Sequence, residues 1–393
     1  MPVNGDVGRI LQQIEKTLED PIGYIRRQKS ERRVKVVGWL LTDVPEELIH
    51  AAGALPFGIT GGSESFSQAD AHLQSWACSL ARSCLGLGLQ GKLSFLDGLI
   101  IPHTCDTTRN LGGIWKHAKP LPLMENYLIP RQVDRPSAKS YLTGELGRLK
   151  AKLEQCTRTG ITVKRLHDSI ALYNLNRALI RKLFRRHVEN PETLNNRAIY
   201  NIIKSSMIMP KEDHNSLLSE LDVALGVSTE DGANSKGYIK IALSGKVWEP
   251  KEIMNMLDGI KAVAVADDLA TGHRYINADV PESGDPIEAL AHRQITRMPF
   301  ACYGAAQFER RRFLTDMVHE SKAAGLVFVH LKFCEPENFD YPDMKSACQS
   351  AGIPTIKIET ELGNMSLGQI ETRLQAFLEV LRGGAENDGT ASL

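Results

Sequence analysis

The sequence predicts an α/β protein with two parallel-sheet α/β domains and a mainly helical domain between them. Three observations carry this. Apolar runs of strand length alternate with helical patterns from residue 34 to Trp115, and again from Gly237 onward. Such alternation marks a parallel sheet covered by helices. Residues 137–226 lack strand-like runs and carry long, charge-rich helical patterns instead. Finally, 393 residues exceed one ordinary core, at about 100–200 residues per domain. The boundaries are drawn at 1–136, 137–236 and 237–393: a helical lead with the first α/β domain, the helical domain, and the second α/β domain with a closing helix.

The elements follow in order. Ile10, Leu11, Ile14 and Leu18 make one face of an amphipathic lead that Pro21 interrupts. Val34 to Leu41 reads as a buried strand. A helix follows from Pro45 and stops at Gly53, because proline suits a first turn and glycine a termination. Ala54 to Ile59 is a second apolar run, residues 70–90 read as helical, and Leu96 to Ile101 as a strand. A helix then runs past Cys105 through Trp115. The middle region holds GELGRLKAKLEQ and VKRLHDSIALYNLNRALIRKLFRRHV, both helical. Its basic run Arg181 to Arg186 is either a partner patch or a solvated helix face, and charge runs usually face water. In the last region Ile239–Leu243, Ala262–Ala266, Gly325–Leu331 and Thr355–Ile358 are strands. A helix from Ser366 to Arg382 closes the fold, with a frayed tail expected after it.

Composition excludes several classes. Forty-seven basic residues balance forty-seven acidic ones, which argues against binding nucleic acid or an anionic membrane through bulk charge. No stretch reaches the roughly 18–20 apolar residues that cross a bilayer. The first twenty residues lack the apolar block of a secretory signal. A cytoplasmic location is therefore expected, where thiols stay reduced.

Seven cysteines, an odd number, argue against a disulfide framework. No C-x-x-C pair or ferredoxin-type spacing occurs. Two cysteines stand where chemistry is expected. Cys105 and Cys334 each lie between a strand end and a helix start, and open α/β sheets bind ligands at the carboxyl ends of their strands. Helix N-termini also stabilise an anionic sulfur. Ordinary loop thiols are the alternative at this point. Cys78 and Cys84 share one helical segment, on different faces, with Cys78 nearer its start. Cys156, Cys302 and Cys348 read as core or surface thiols. GLGLQG (Gly86 to Gly91) matches G-x-G-x-x-G but follows a helical pattern, so it reads as a helix terminus. No P-loop is present. His50 reads as a packed histidine. His103, two residues before Cys105, is the candidate pocket residue. Asp267 and Asp268 follow a strand near Arg274, where they either orient a substrate or cap a helix with a local ion pair.

These segments together resemble the family of 2-hydroxyacyl-CoA dehydratase and benzoyl-CoA reductase subunits. The resemblance is carried by VGWLLTDVPEELIHAAGALPFGITG, WACSLARS, IPHTCDTTRNLGGIW, KIALSGKVW, VAVADDLATGHRY, VHLKFCEPENFDYPDMKSACQSAGIPTIKIE and GQIETRLQAFLEVL. It implies two Rossmann-like α/β domains and, between them, a [4Fe-4S] cluster on Cys78, Cys105 and Cys334. PHTCDTTRNLGGIWK looks most like the small, C-type subunit of the aromatic reductases. That branch implies a larger homologous subunit and an acyl-CoA substrate. It also implies a separate ATP-hydrolysing iron–sulfur activator, fed by a ferredoxin-like donor, with ATP used only there. The implied reaction is dearomatisation of benzoyl-CoA or an analogue. A 2-hydroxyacyl-CoA dehydratase subunit and a non-catalytic electron-relay subunit are the alternatives.

Overall fold

In the computed structural model, residues 5–40, 43–62, 67–226, 235, 237–299, 301, 307–363 and 365–389 are described. Two four-stranded sheets form, every pairing parallel. The first contains β1 (Lys35–Leu40), β2 (Ala54–Ile59), β3 (Gly98–His103) and β4 (Leu123–Leu128), in the order β2-β1-β3-β4. The second contains β5 (Ile239–Gly245), β6 (Ala262–Asp267), β7 (Gly325–Leu331) and β8 (Thr355–Thr360), in the order β6-β5-β7-β8. The two-sheet α/β expectation holds.

Helices complete the crossovers. The lead is two helices, α1 (Gly5–Glu19) and α2 (Pro21–Arg32), because the Asp20 side chain accepts the Gly23 N–H and Pro21 opens the new turn. Then come α3 (Glu46–Ala51), α4 (Ser67–Asp70), α5 (Ser79–Leu89) and α6 (Asp106–Ala118). The expected helix over 70–90 is therefore broken: α4 stops at Asp70 and α5 starts only after Cys78. The middle is helical as expected, with α7 (Pro136–Thr157), α8 (Val163–Glu189), α9 (Asn196–Ser206) and α10 (Lys211–Ala224). The second sheet carries α11 (Glu252–Gly259), α12 (His273–Ile276), α13 (Pro286–Thr296), α14 (Gln307–Glu320), α15 (Glu335–Ser350) and α16 (Leu367–Gly389). The last helix runs beyond Arg382 into the segment expected to fray. Residues 390–393, Leu41 of the first strand run and Cys302 lie outside the described residues.

The core is continuous across these parts. One buried cluster joins Ile14 of α1, Trp39 of β1, Leu146, Ile180 and Ile203 of the middle helices, and Leu243 and Val329 of the second sheet. Another fills the opposite face of the first sheet, with Phe57, Leu85 and Trp115, and takes in Val247, Leu331, Cys334 and Leu362 from the second half. The GLGLQG segment explains itself here. Gly86 and Gly88 lie inside α5, and a Cβ on Gly88 would stand 2.4 Å from the Trp115 ring of α6. The glycine lets two helices approach, and Gly91, at φ +74°, follows where α5 has ended.

Candidate functional site

The carboxyl ends of the two sheets face each other. Leu362, just past β8, donates its N–H to Ser79 Oγ at the start of α5 at 3.0 Å. Arg82 of α5 stands 3.8 Å from Glu361. Asp43, after β1, is fully buried between Arg274 (3.3 Å) and Arg297, both from the second half. This is where open α/β sheets place their ligands.

Three cysteines occupy that junction, and each is the residue that caps the start of a helix. Cys78 caps α5, Cys105 caps α6 and Cys334 caps α15. At Cys105 the Sγ itself accepts a capping N–H, and all three residues stand at the N-terminal end of a helix dipole, which favours negative sulfur. Cys105 is held most completely. The Thr108 N–H points at its Sγ (3.5 Å), and Thr108 Oγ1 accepts from the Cys105 N–H (3.1 Å) while donating to the Cys105 carbonyl (3.0 Å). Cys78 is half-buried, and burial pushes its thiol up to about 11. The N–H groups of Ala81 and Leu80 and the charge of Lys246 oppose that rise, while the neighbouring Cys105 adds to it. Cys334 is buried, packs in the same apolar cluster as Cys78, and follows Phe333, whose backbone is left-handed at φ +64°. That turn swings the chain from β7 into α15 at a steric cost for a residue with a Cβ. Trp76, two residues before Cys78, and Phe333, the neighbour of Cys334, line a cavity of about 360 Å³ together with Phe339, all three exposed.

Among the described residues no other cysteine starts a helix. Cys84 lies inside α5, where burial raises its thiol. Cys156 stands near the end of α7 with its Sγ toward the Asp97 carbonyl. Cys348 lies inside α15, pushed up to about 11 by burial. Among the described residues no three His, Cys, Asp or Glu side chains converge tightly enough to hold a single metal ion.

His103 ends β3 half-buried. Burial lowers its pKa, and the charges of Arg131 and Arg109 lower it further against Asp106. It lines two adjoining cavities along β4. His50 is a satisfied packed histidine, with Nδ1 2.9 Å from Ser169 Oγ and Nε2 3.0 Å from Glu212. The basic run on α8 is largely neutralised within the chain, by Arg181 on Asp279 and by Lys182 and Arg186 on Asp222. Asp267 and Asp268 are not partners of Arg274. Asp267 accepts from Tyr200 OH, from the N–H groups of Leu269 and His273, and from the His273 ring. Asp268 accepts from Ser244 and Gly245 and faces Arg310.

Sequence reasoning missed that last centre. Arg310 of α14 is 1% exposed and meets Glu337 (2.8 Å), Asp340 (2.9 Å) and Asp268 (3.4 Å). Burial pushes Asp268 up to about 6 against the pull of Arg310. Lys246, 6% exposed after β5, was also missed, and it bears electrostatically on both Cys78 and Glu337. Nothing in ERRRF marks its first arginine as buried, and only the fold turns it inward.

Comparison with known proteins follows the same lines. A model of the family "2-hydroxyglutaryl-CoA dehydratase, D-component" matches residues 41–381. The chain is 30% identical over 379 residues to lactoyl-CoA dehydratase subunit beta of Anaerotignum propionicum, covering 95% of this chain and 99% of that one. It is 28% identical over 383 residues to the C-type subunit of benzoyl-CoA reductase from Thauera aromatica, covering 95% and 98%. It is 29% identical over 381 residues to (R)-2-hydroxyglutaryl-CoA dehydratase subunit beta of Acidaminococcus fermentans, covering 95% and 100%.

Proposed function

The chain belongs to the 2-hydroxyglutaryl-CoA dehydratase D-component family, and from that premise we propose that it is the iron–sulfur subunit of an ATP-dependent aromatic acyl-CoA reductase. Its relatives are subunits of benzoyl-CoA reductase and of acyl-CoA dehydratases, so it works as one subunit of a catalytic complex. The observation that supports the iron–sulfur part of this reading is the set of three cysteines at helix starts near the junction of the two sheets.

Cys78, Cys105 and Cys334 are the residues that would hold a [4Fe-4S] cluster. The donor set suits it: three thiols, each at the positive end of a different helix, with an apolar wall of Val247, Leu331 and Leu362. A cubane offers a separate iron to each thiolate, so its ligands stand farther apart than those of one ion. Bound there, the cluster would supply single electrons at low potential. The protein's own part is electrostatic and steric. Thr108 fixes Cys105, and the apolar wall keeps water away. Lys246 offsets negative charge beside Cys78, and three thiolates leave one corner for a ligand other than cysteine. The partners in this reading are a larger homologous subunit and an ATP-hydrolysing iron–sulfur activator supplied by a ferredoxin-like donor. The exposed rim of Trp76, Phe333 and Phe339 suits coverage by a partner. The free thiols of Cys78, Cys84, Cys105, Cys156 and Cys348 suit a reducing cytoplasm, and no helix among the described residues is long and apolar enough to cross a membrane.

The reaction adds two electrons and two protons to the ring of benzoyl-CoA or an analogue, giving a cyclic diene. The second reading is a 2-hydroxyacyl-CoA dehydratase subunit, favoured by an identity to the lactoyl-CoA enzyme's beta subunit as high as that to the reductase subunit. The test is made without air. The chain is produced with a candidate larger subunit and activator, then given ATP, a strong reductant and either benzoyl-CoA or a 2-hydroxyacyl-CoA. Dienoyl-CoA formation supports the reductase, and loss of water from the hydroxyacyl substrate moves the assignment to the dehydratase. Absence of iron from the anaerobically purified chain would end the three-cysteine proposal.

A further inference from the structure

We propose that the groove along edge strand β4 binds the phosphorylated nucleotide end of coenzyme A, so that this chain itself grips the handle of the thioester. The inference rests on the acyl-CoA reading above and adds a binding site to it. Two cavities, of about 780 Å³ and about 460 Å³, share His103 and Leu128 and so form one trough. The trough touches the end of β3 two residues before Cys105, then follows β4 between α6 and the start of α7.

Its lining is cationic. Arg109 and Lys116 project from α6, and Arg131 and Arg135 come from the segment entering α7. The two carboxylates in the trough are already engaged, because Arg148 binds Glu125 (2.9 Å) and Glu145 (2.6 Å) and Lys152 also binds Glu125. Among the described residues no carboxylate pairs with Arg109, Lys116 or Arg135. Arginines so placed suit a ligand with several phosphate oxygens. Tyr141, 46% exposed at one end, offers an aromatic face to a purine.

The glycines of α6 point the same way. Gly112 has a packing reason, because a Cβ there would stand 1.9 Å from Asn126 Oδ1. Gly113 has none: a Cβ on it would meet nothing within 4 Å, yet it sits in the helix interior and lines the trough. A ligand lying close against the helix backbone supplies the missing reason. Coenzyme A has the required parts: a 3′-phosphate, a diphosphate, an adenine and a long thin arm that can follow the trough toward the cysteines.

The test titrates the full chain, alone and with its larger subunit, with coenzyme A, dephospho-coenzyme A and inorganic phosphate. The expected order of affinity is coenzyme A, then dephospho-coenzyme A, then phosphate, with binding weakened by salt. Arg109→Gln and Arg135→Gln should each weaken coenzyme A by about tenfold, as loss of a charge-assisted hydrogen bond does. Gly113→Leu should block the trough, and none of the three should lower the melting temperature. The proposal is overturned if wild type binds no coenzyme A, if phosphate binds as tightly, or if the variants bind as wild type does. It also falls if the substitutions release the larger subunit with coenzyme A affinity unchanged, which would make the trough a protein interface. Iron measured on the same samples separates two failures. Iron retained with no effect on coenzyme A sinks the groove alone. Coenzyme A bound in the trough of a chain that never holds iron sinks the cysteine reading and leaves the groove standing.

Discussion

Thr108 shows how much one side chain can do here. It is 2% exposed and ties the Cys105 N–H, carbonyl and Sγ into one turn. Thr108→Val keeps the shape and removes the hydroxyl. The variant should fold and lose iron faster than wild type under a chelator, whereas Thr108→Ser should restore retention. Single Cys→Ser changes at positions 78, 105 and 334 should lower iron content with the circular dichroism unchanged, and Cys84→Ser should not lower it. The two α6 glycines make a stability pair. Gly113→Ala should stabilise by about 0.5–1 kcal/mol through helix propensity. Gly112→Ala should destabilise by about 1–3 kcal/mol, because its Cβ overpacks against Asn126. Asn126→Ala should rescue it in the double variant, as denaturant midpoints would show. At this scale the sequence was unevenly legible. Cys105 and Cys334 stood out because strand, loop and helix patterns bracket them. Cys78 did not read as a cap, because cysteine is outside the usual capping residues and WACSLARS continues a helical pattern on both sides.

The elements that sequence reasoning found are those whose apolar period is undisturbed. The runs VVGWL (Val36 to Leu40), AVAVA and GLVFVHL are buried nearly throughout, so hydropathy alone exposes them. Strand β4 was missed. Its LMENYL alternates buried and partly exposed positions at the sheet edge, with Glu125 and Asn126 breaking the apolar run. The middle helices carry a titration of their own. Burial pushes His187 of α8 down to about 4 and His214 of α10 down to about 3. Both values lie below the roughly 6.5 of the unfolded chain. The unfolded state therefore takes up protons first, and stability must fall as pH drops below about 6.5, down toward about 4 and 3. By about pH 5 each histidine should cost about 2 kcal/mol. Urea midpoints at about pH 7 and pH 5 check this, and His214→Asn should flatten the dependence.

The whole molecule is closed by charges that neither half could keep alone. Asp43, after β1 and at φ +72°, is buried against Arg274 and Arg297 of the second half. Asp43→Asn should cost about 3–5 kcal/mol, the usual penalty for breaking a buried pair, and should broaden the unfolding transition as the halves loosen. Differential scanning calorimetry would show both effects. No pattern in the sequence announces this clamp, because its members lie more than two hundred residues apart. The sheets hold one more consequence. The order β2-β1-β3-β4 is repeated as β6-β5-β7-β8, the same arrangement written twice, as duplication of an ancestral half would leave it. Under that pseudo-symmetry Cys105 and Cys334 are equivalent positions, each following the third strand of its own repeat. Cys78 lies between the second and third strands of the first repeat, at the start of α5. Among the described residues the first repeat brings two helix-starting cysteines to the junction and the second repeat one, so the two halves would not share a bound group equally.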